Sequence, residues 1–179
     1  MRTIPIAVAA LASLFWTVPH ACGQRNHRDV LTDAQVEEIR EAGIDPDGRI
    51  KLYAKYLDER ADSIESLTRR GHSAARAHRL DKELQDFAAL MDELGSNLDQ
   101  YGDRKADIRK SLKNLNESAQ RWLTVLHNLP SEPVFDLSLK DATDGGQDLA
   151  DQVKQMLTDQ TAYFKEHKDQ RGQDRAEPQ

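Results

Sequence analysis

Basic side chains crowd one short stretch of an otherwise acidic chain, and they are the residues best placed to bind a ligand. They are Arg69, Arg70, His72, Arg76, His78 and Arg79. The first two would end a helix, where the helix dipole favours cations, whereas Arg76 and Arg79 would lie near a helix N-terminus, against the dipole. This placement predicts a site for an anion, a lipid headgroup or an acidic partner, and protonated histidines would strengthen it below about pH 6.5. The alternative is a solvated loop whose arginines pair weakly with Asp81 and Glu83.

Metal-binding and catalytic patterns are otherwise missing from the sequence. A di-iron site in a helical bundle needs paired Glu-x-x-His motifs, but no histidine has a carboxylate three residues before it. The zinc motif His-Glu-x-x-His, the haem motif Cys-x-x-Cys-His and the Gly-x-Ser-x-Gly elbow do not occur. Residues 45–50 imitate the middle of a calcium loop, but Gly43 and Ala54 replace its end ligands, so they are better interpreted as a helix-capping turn. We therefore predict no catalytic residue, no metal site, no cofactor and no enzymatic activity.

The first 23 residues are typical of an export signal. Arg2 precedes an apolar run at residues 4–18, and Ala21 and Gly23 are small residues suited to cleavage before Gln24. The single cysteine, Cys22, is the alternative: it would carry a lipid anchor, although the residues before it depart from the bacterial lipid-attachment motif. The rest of the chain has no cysteine for disulfides or thiolate chemistry. We expect a periplasmic or extracellular protein, or an envelope protein anchored through Cys22.

The composition is that of long amphipathic helices in one domain. The chain has 179 residues, of which 31% are charged and 6% aromatic, and its formal net charge is -6. A net-acidic chain is a poor general binder of nucleic acid, so we predict no nucleic-acid partner. No segment after the leader approaches the ~20 apolar residues of a membrane span, so membrane contact would require the lipid anchor.

Large apolar residues recur in alternating steps of four and three through the middle of the chain. This ladder consists of Leu80, Leu84, Phe87, Met91, Leu94, Leu98, Tyr101, Ile108, Leu112, Leu115, Ala119, Trp122, Leu126 and Leu129. The spacing places them on one helical stripe, which only a partner helix can bury. The ladder predicts an all-α protein in which these side chains form the core rather than a ligand site.

Local signals divide the chain into helices. The expected helices are a short one at about 33–42, long ones at about 46–70 and 75–101, a fourth segment that ends at Leu129, and a last one from about Asp136. Thr32 and Gln35 form a capping-box pattern, and Gly43 would end the short helix. Asp45 and Pro46 suit the N-cap and first position of the next helix. The pair Gly145-Gly146 weakens the last helix.

The segment at Gly102-Asp103 leaves two architectures open. Glycine followed by aspartate favours a turn, yet Tyr101 and Ile108 are seven residues apart and keep the heptad phase of a continuous helix. With a turn, the chain forms an up-down bundle of four long helices plus the short N-terminal helix. Without one, it forms an elongated three-helix arrangement with one continuous helix at about 76–129.

The expected organisation is a single helical domain flanked by non-folded segments. The predicted segments are a signal peptide at 1–23, a flexible N-terminus at 24–30, the helical domain at 31–168 and a disordered tail at 169–179. The tail has no apolar residue larger than alanine, which is typical of disorder.

Two resemblances follow from the N-terminal residues and the layout. The stretch Leu31-Thr32-Asp33-Ala34-Gln35 resembles the Leu-Thr-x-x-Gln helix start of the Spy-like periplasmic chaperones, small helical proteins that shield unfolding clients. The second copy of that motif is one residue short here, at Leu157-Thr158-Asp159-Gln160. The whole layout, with its leader and long heptad helices, is similar to uncharacterised exported bacterial helical proteins, which implies a fold and no activity.

The sequence thus predicts an exported, non-enzymatic helical protein with a binding, scaffold or interaction role in the cell envelope. We expect a protein partner or self-association and no small-molecule substrate. The alternatives are a Spy-like chaperone and a lipid-anchored protein that binds acidic surfaces through Arg76 and Arg79.

Overall fold

The computed structural model describes residues 30–171, and this part of the chain is all-helical. Its elements are α1 (Asp33–Glu41), α2 (Pro46–Thr68), α3 (Ala74–Asp103), α4 (Arg109–His127), α5 (Asp136–Glu166) and a 3₁₀ turn (Lys168–Gln170). Four long helices and one short one confirm the predicted fold class. The structure does not describe residues 1–29 or 172–179. The predicted signal peptide, its cleavage site and Cys22 therefore lie outside the described residues.

The N-terminal helices begin and end at the predicted signals. Thr32 and Gln35 exchange both hydrogen bonds of a capping box, with N···O distances of 2.9 and 3.3 Å. Gly43 adopts φ 58° after α1, the left-handed conformation that glycine accepts at low cost. The Asp45 carboxylate accepts from the backbone N–H groups of Asp47 and Gly48, which explains the calcium-like segment as a helix cap.

The chain reverses direction at residues 104–108, so the prediction of one continuous helix at 76–129 is wrong. The turn lies beyond Gly102, which is helical. Ala106 N–H donates to the Tyr101 carbonyl and Lys105 N–H to the Gly102 carbonyl, both at 3.0 Å, which is the Schellman pattern. The left-handed position of this motif, with φ 57°, is therefore occupied by Lys105 rather than by glycine.

Replacement of Lys105 by glycine is expected to stabilise the protein. A side chain in the left-handed region costs about 1 kcal/mol, which Lys105→Gly would recover. Lys105→Ala is the matched control, because it keeps the strain and removes the ammonium group that lies 5.6 Å from the Tyr163 ring centroid. Urea unfolding should show a higher free energy of unfolding for the glycine variant alone. Equal stability of the two variants would contradict strain at this position.

The four long helices alternate in direction along the chain but are not arranged in chain order around the bundle. Each packs against two neighbours, in the cyclic order α2, α3, α5, α4. Cross-helix bonds give the directions: Ser138 and Gln152 of α5 bond to Asp81 and Gly95 of α3 in ascending order, so these two helices are parallel. The pair α2 and α4 is parallel as well, and the turn at 104–108 crosses the end of the bundle diagonally.

The heptad ladder forms the core. All of its residues are buried, with exposed fractions of at most 9%. Phe87 of α3 and Trp122 of α4 meet across the diagonal, edge to face, with ring centroids 6.1 Å apart. The Trp122 indole N–H donates to the Asp58 carboxylate at 2.7 Å, so the one polar atom of this large side chain is satisfied.

The ends of the domain differ from the predicted boundaries. Val30, expected in a flexible segment, is buried and its carbonyl accepts from Arg60. Asp169, expected to begin a disordered tail, lies in the 3₁₀ turn, where Gln170 accepts a hydrogen bond from the Tyr163 hydroxyl at 2.7 Å. The folded domain therefore extends slightly beyond both predicted boundaries. The contacts that extend it, from Arg60 to Val30 and from Tyr163 to Gln170, are not visible in the local composition.

Candidate binding groove

The structure does not bring the six basic residues together as one surface. Arg76 is only 4% exposed and binds Glu132 in the loop between α4 and α5, while its guanidinium also lies 3.2 Å from His72. Arg69 is exposed and pairs with Glu65 one turn earlier at 2.6 Å. The remaining members, Arg70, His78 and Arg79, are exposed. Burial of Arg76 against a carboxylate indicates a role in holding the loop rather than in a free anion site.

The predicted partners of these arginines have other bonds. Glu83 pairs with Arg60 of α2 at 2.9 Å, and Asp81 accepts from the Ser138 hydroxyl of α5 at 2.5 Å. Both carboxylates therefore connect neighbouring helices. The pairing of Arg76 and Arg79 with Asp81 and Glu83, expected from sequence proximity, is replaced for Arg76 by a contact with Glu132.

A groove runs along the outside of the bundle between the parallel helices α3 and α5. It consists of three consecutive depressions of about 590, 220 and 450 Å³. Asp92 lines the first two, and Asp99 and Gln152 line the last two, so the depressions follow one another. On α3 the lining extends from Gln85 to Asp103, which corresponds to about 27 Å of helix.

Small residues and one glutamine give the groove its shape. Ala88 and Ala89 line its first part, and Gly95 lines its middle, where a β-carbon would meet the Gln152 side-chain oxygen at 3.0 Å. The Gln152 amide donates to the Gly95 carbonyl at 3.0 Å and to Asp99 at 2.7 Å. This contact crosses from α5 to α3 and fixes the separation of the two helices at the middle of the groove.

Carboxylates from both helices line the groove. The lining aspartates are Asp92, Asp99 and Asp103 of α3 and Asp141, Asp148 and Asp159 of α5, against a single lysine, Lys105. Partial burial raises the pKa of Asp92, and the charge of Asp148 raises it further. A cation between these two carboxylates would offset their repulsion and stabilise the ionised form of Asp92, so the groove is electrostatically suited to a positively charged ligand.

No protein family, no curated protein and no solved structure matches this chain. What the groove can do therefore follows from its own chemistry. Within residues 30–171 no cluster of histidine, aspartate and glutamate side chains is arranged to hold a metal ion. The same part of the chain contains no helix that is both long and apolar enough to cross a membrane.

Exposed apolar side chains adjoin one end of the groove. Leu137, which lines the first depression, is 73% exposed, and Val134, in the turn that precedes α5, is 45% exposed. The groove is therefore acidic along its rims and apolar at this end. An amphipathic cationic ligand would satisfy both features, because its apolar side would cover Leu137 while its charges meet the aspartates.

Sequence reasoning missed this groove, although a spacing signal exists. Asp92 and Asp99 are seven residues apart on α3, as are Asp141 and Asp148 on α5, and Gly95 and Gly102 repeat at the same interval. Heptad-spaced aspartates beside heptad-spaced glycines differ from an ordinary solvated helix face. The signal is hard to interpret without knowing that α3 and α5 are neighbours and parallel.

Proposed function

We propose that this protein is an exported, non-enzymatic binding protein that docks a basic amphipathic helix of a partner protein in the groove between α3 and α5. The observation that carries the proposal is the pair of aspartate rows that face this groove from two parallel helices. Helix-in-groove recognition of this kind reads apolar anchors and charges at helical spacing.

The dimensions of the groove suit a helix of about five turns. A length of about 27 Å corresponds to about 18 helical residues. Asp92 and Asp99, like Asp141 and Asp148, repeat every two turns, so a partner with lysine or arginine at the same interval would meet both rows. The leucine-sized anchor of such a partner would pack beside Ala88, Ala89 and Leu137.

Charge complementarity favours a basic partner over a second copy of the chain. The protein has a net charge of -6, and two copies joined at this groove would place like charges opposite one another. Among the described residues the large exposed apolar side chains are Ile44, Val134 and Leu137. So small an apolar surface favours a specific partner over the general shielding of unfolding clients that a Spy-like chaperone performs.

The proposal includes export, which rests on the sequence of the first 23 residues. The protein is either cleaved before Gln24 or anchored by a lipid on Cys22. Mass spectrometry of the protein from its native host distinguishes the two versions. A free Gln24 terminus supports a soluble exported protein, and a lipid-modified Cys22 supports an anchored one. An intact Met1 terminus would contradict export in either form.

The proposal is tested with a synthetic 18-residue helix that has leucines on one face and lysines on the other. We expect the peptide to bind, and the variant Asp92→Lys/Asp148→Lys to bind it about tenfold more weakly at low salt, since two attractive contacts become repulsive. Because these contacts are at a solvated rim, the difference should shrink as the ionic strength rises. Fluorescence anisotropy of the labelled peptide measures both effects.

Two controls separate the groove from general charge attraction. Glu59→Lys/Glu117→Lys makes the same change in net charge on α2 and α4, away from the groove, and should leave affinity within about twofold, as expected for remote surface charges. A peptide of the same composition with its leucines scrambled should bind more weakly. Equal loss of affinity in the control variant, or equal affinity for the scrambled peptide, would exclude specific docking in this groove.

A further inference from the structure

Three buried polar atoms at one end of the bundle have no hydrogen-bond partner within residues 30–171. They are the Nε atoms of Arg49 and Arg104 and the hydroxyl of Tyr101. Tyr101 is 3% exposed, so its hydroxyl has little access to bulk water. Buried polar groups in folded proteins are almost always hydrogen-bonded, and three such groups around one side chain need a physical explanation.

Both arginines lie against Tyr101. The central carbon of the Arg104 guanidinium is 5.3 Å from the Tyr101 ring centroid. Burial raises the pKa of Tyr101, and the positive charge of the nearby Arg49 guanidinium opposes this rise. A second guanidinium nitrogen of Arg49 donates to the Asn97 side-chain oxygen at 3.4 Å. The two cations therefore approach the tyrosine from α2 and from the end of α3.

Neither guanidinium is neutralised by an ion pair within the part of the chain that the structure describes. The Asp45 carboxylate is near enough for its charge to raise the pKa of Tyr101. Its two oxygens accept from the backbone N–H groups of Asp47 and Gly48, at 3.1 Å each. The Glu93 carboxylate accepts from Tyr53. Of the charges that act on the pKa of Tyr101, two are therefore guanidinium groups and one is the Asp45 carboxylate, in a protein whose net charge is -6.

We propose that Arg49, Tyr101 and Arg104 form a binding site for a small oxyanion, such as a phosphate or a carboxylate group. Guanidinium groups are donors only, and their planar fork matches the geometry of these anions. The tyrosine hydroxyl supplies a further donor at the buried side. The site is independent of the groove between α3 and α5, since it selects the opposite charge and uses other residues.

The test uses the full chain with inorganic phosphate as the probe and sodium chloride at equal ionic strength as the reference. We expect phosphate to raise Tm in a saturable way and calorimetry to give one site per chain. Arg49→Gln and Arg104→Gln should each weaken phosphate binding about tenfold, the usual loss for a hydrogen bond to a charged group. Acetate in place of phosphate tests the carboxylate form of the same site.

Two further variants keep the test decisive. Arg109→Gln removes an equal charge from the same end of the bundle, where Arg109 is already paired with Asp107 at 2.7 Å, and should leave phosphate affinity unchanged. Tyr101→Phe keeps the buried ring and should weaken binding severalfold even if an arginine variant fails to fold. Absence of saturable binding of both anions, or binding that survives all three site variants, would overturn the proposal. Water would then be the hydrogen-bond partner of these donors.

Discussion

Arg76→Met is expected to lower the free energy of unfolding by about 3 kcal/mol, the usual cost of removing one partner of a buried ion pair. Arg76 is buried and binds Glu132, whose side chain is 22% exposed. Methionine replaces most of the apolar stem, so the loss reflects the charge left on Glu132 rather than a cavity. Urea unfolding of the variant measures the change in free energy, and thermal unfolding should show a fall in Tm of about 10 °C.

Two companion variants identify the cause. Arg69→Met breaks the exposed pair with Glu65, in which the arginine side chain is 76% exposed, and should cost less than about 0.5 kcal/mol. The double variant Arg76→Met/Glu132→Gln should recover much of the lost stability, because no unpaired charge remains. If Arg76→Met costs no more than Arg69→Met, the buried pair does not hold the loop between α4 and α5.

The local signals of the sequence were sufficient to predict the helices and the core. Thr32, Gly43 and Asp45 act within four residues of their own positions, so short motifs specify the ends of α1 and the start of α2. The ladder residues are buried, as their spacing predicts, because the period of the apolar residues determines which face of a helix is apolar. The fold class therefore depends on features that a single sequence contains.

The turn between α3 and α4 was harder to locate, for a physical reason. Tyr101 and Ile108 point into the same core on either side of the turn, so the heptad phase continues although the helix does not. Gly102 suggested the left-handed position, but Lys105 occupies it, because burial of Ala106 and its bond to Tyr101 outweigh the local preference for glycine. Tertiary contacts thus moved the turn by three residues.

Neither the Arg76–Glu132 pair nor the groove could be predicted from spacing alone, since both depend on which segments of the chain are neighbours. Arg76 is separated from Glu132 by 56 residues, and the basic cluster gave no indication of that contact. The aspartates of α3 and α5 resemble two solvated faces until the parallel packing of these helices places them around one groove. Hydrophobic period predicts that a face is covered, but it does not predict which helix covers it.

Trp122→Ala is expected to lower the free energy of unfolding by about 4 kcal/mol, because it empties the largest side-chain volume in the core. Trp122 is 1% exposed, packs edge to face on Phe87 and donates to Asp58. Trp122→Phe should cost less, since it keeps an aromatic ring and loses only the indole donor and part of the volume. Lys113→Ala, at an exposed position of the same helix, should change stability by less than about 0.5 kcal/mol.

A double-mutant cycle extends this experiment to the arrangement of the helices. Phe87→Leu combined with Trp122→Leu should show a coupling of about 1 kcal/mol, because the two rings meet across the diagonal between α3 and α4. In one continuous helix the same residues would lie about 50 Å apart and could not interact within a chain. A coupling near zero would therefore contradict the turn at 104–108, and with it the parallel neighbours that form the acidic groove.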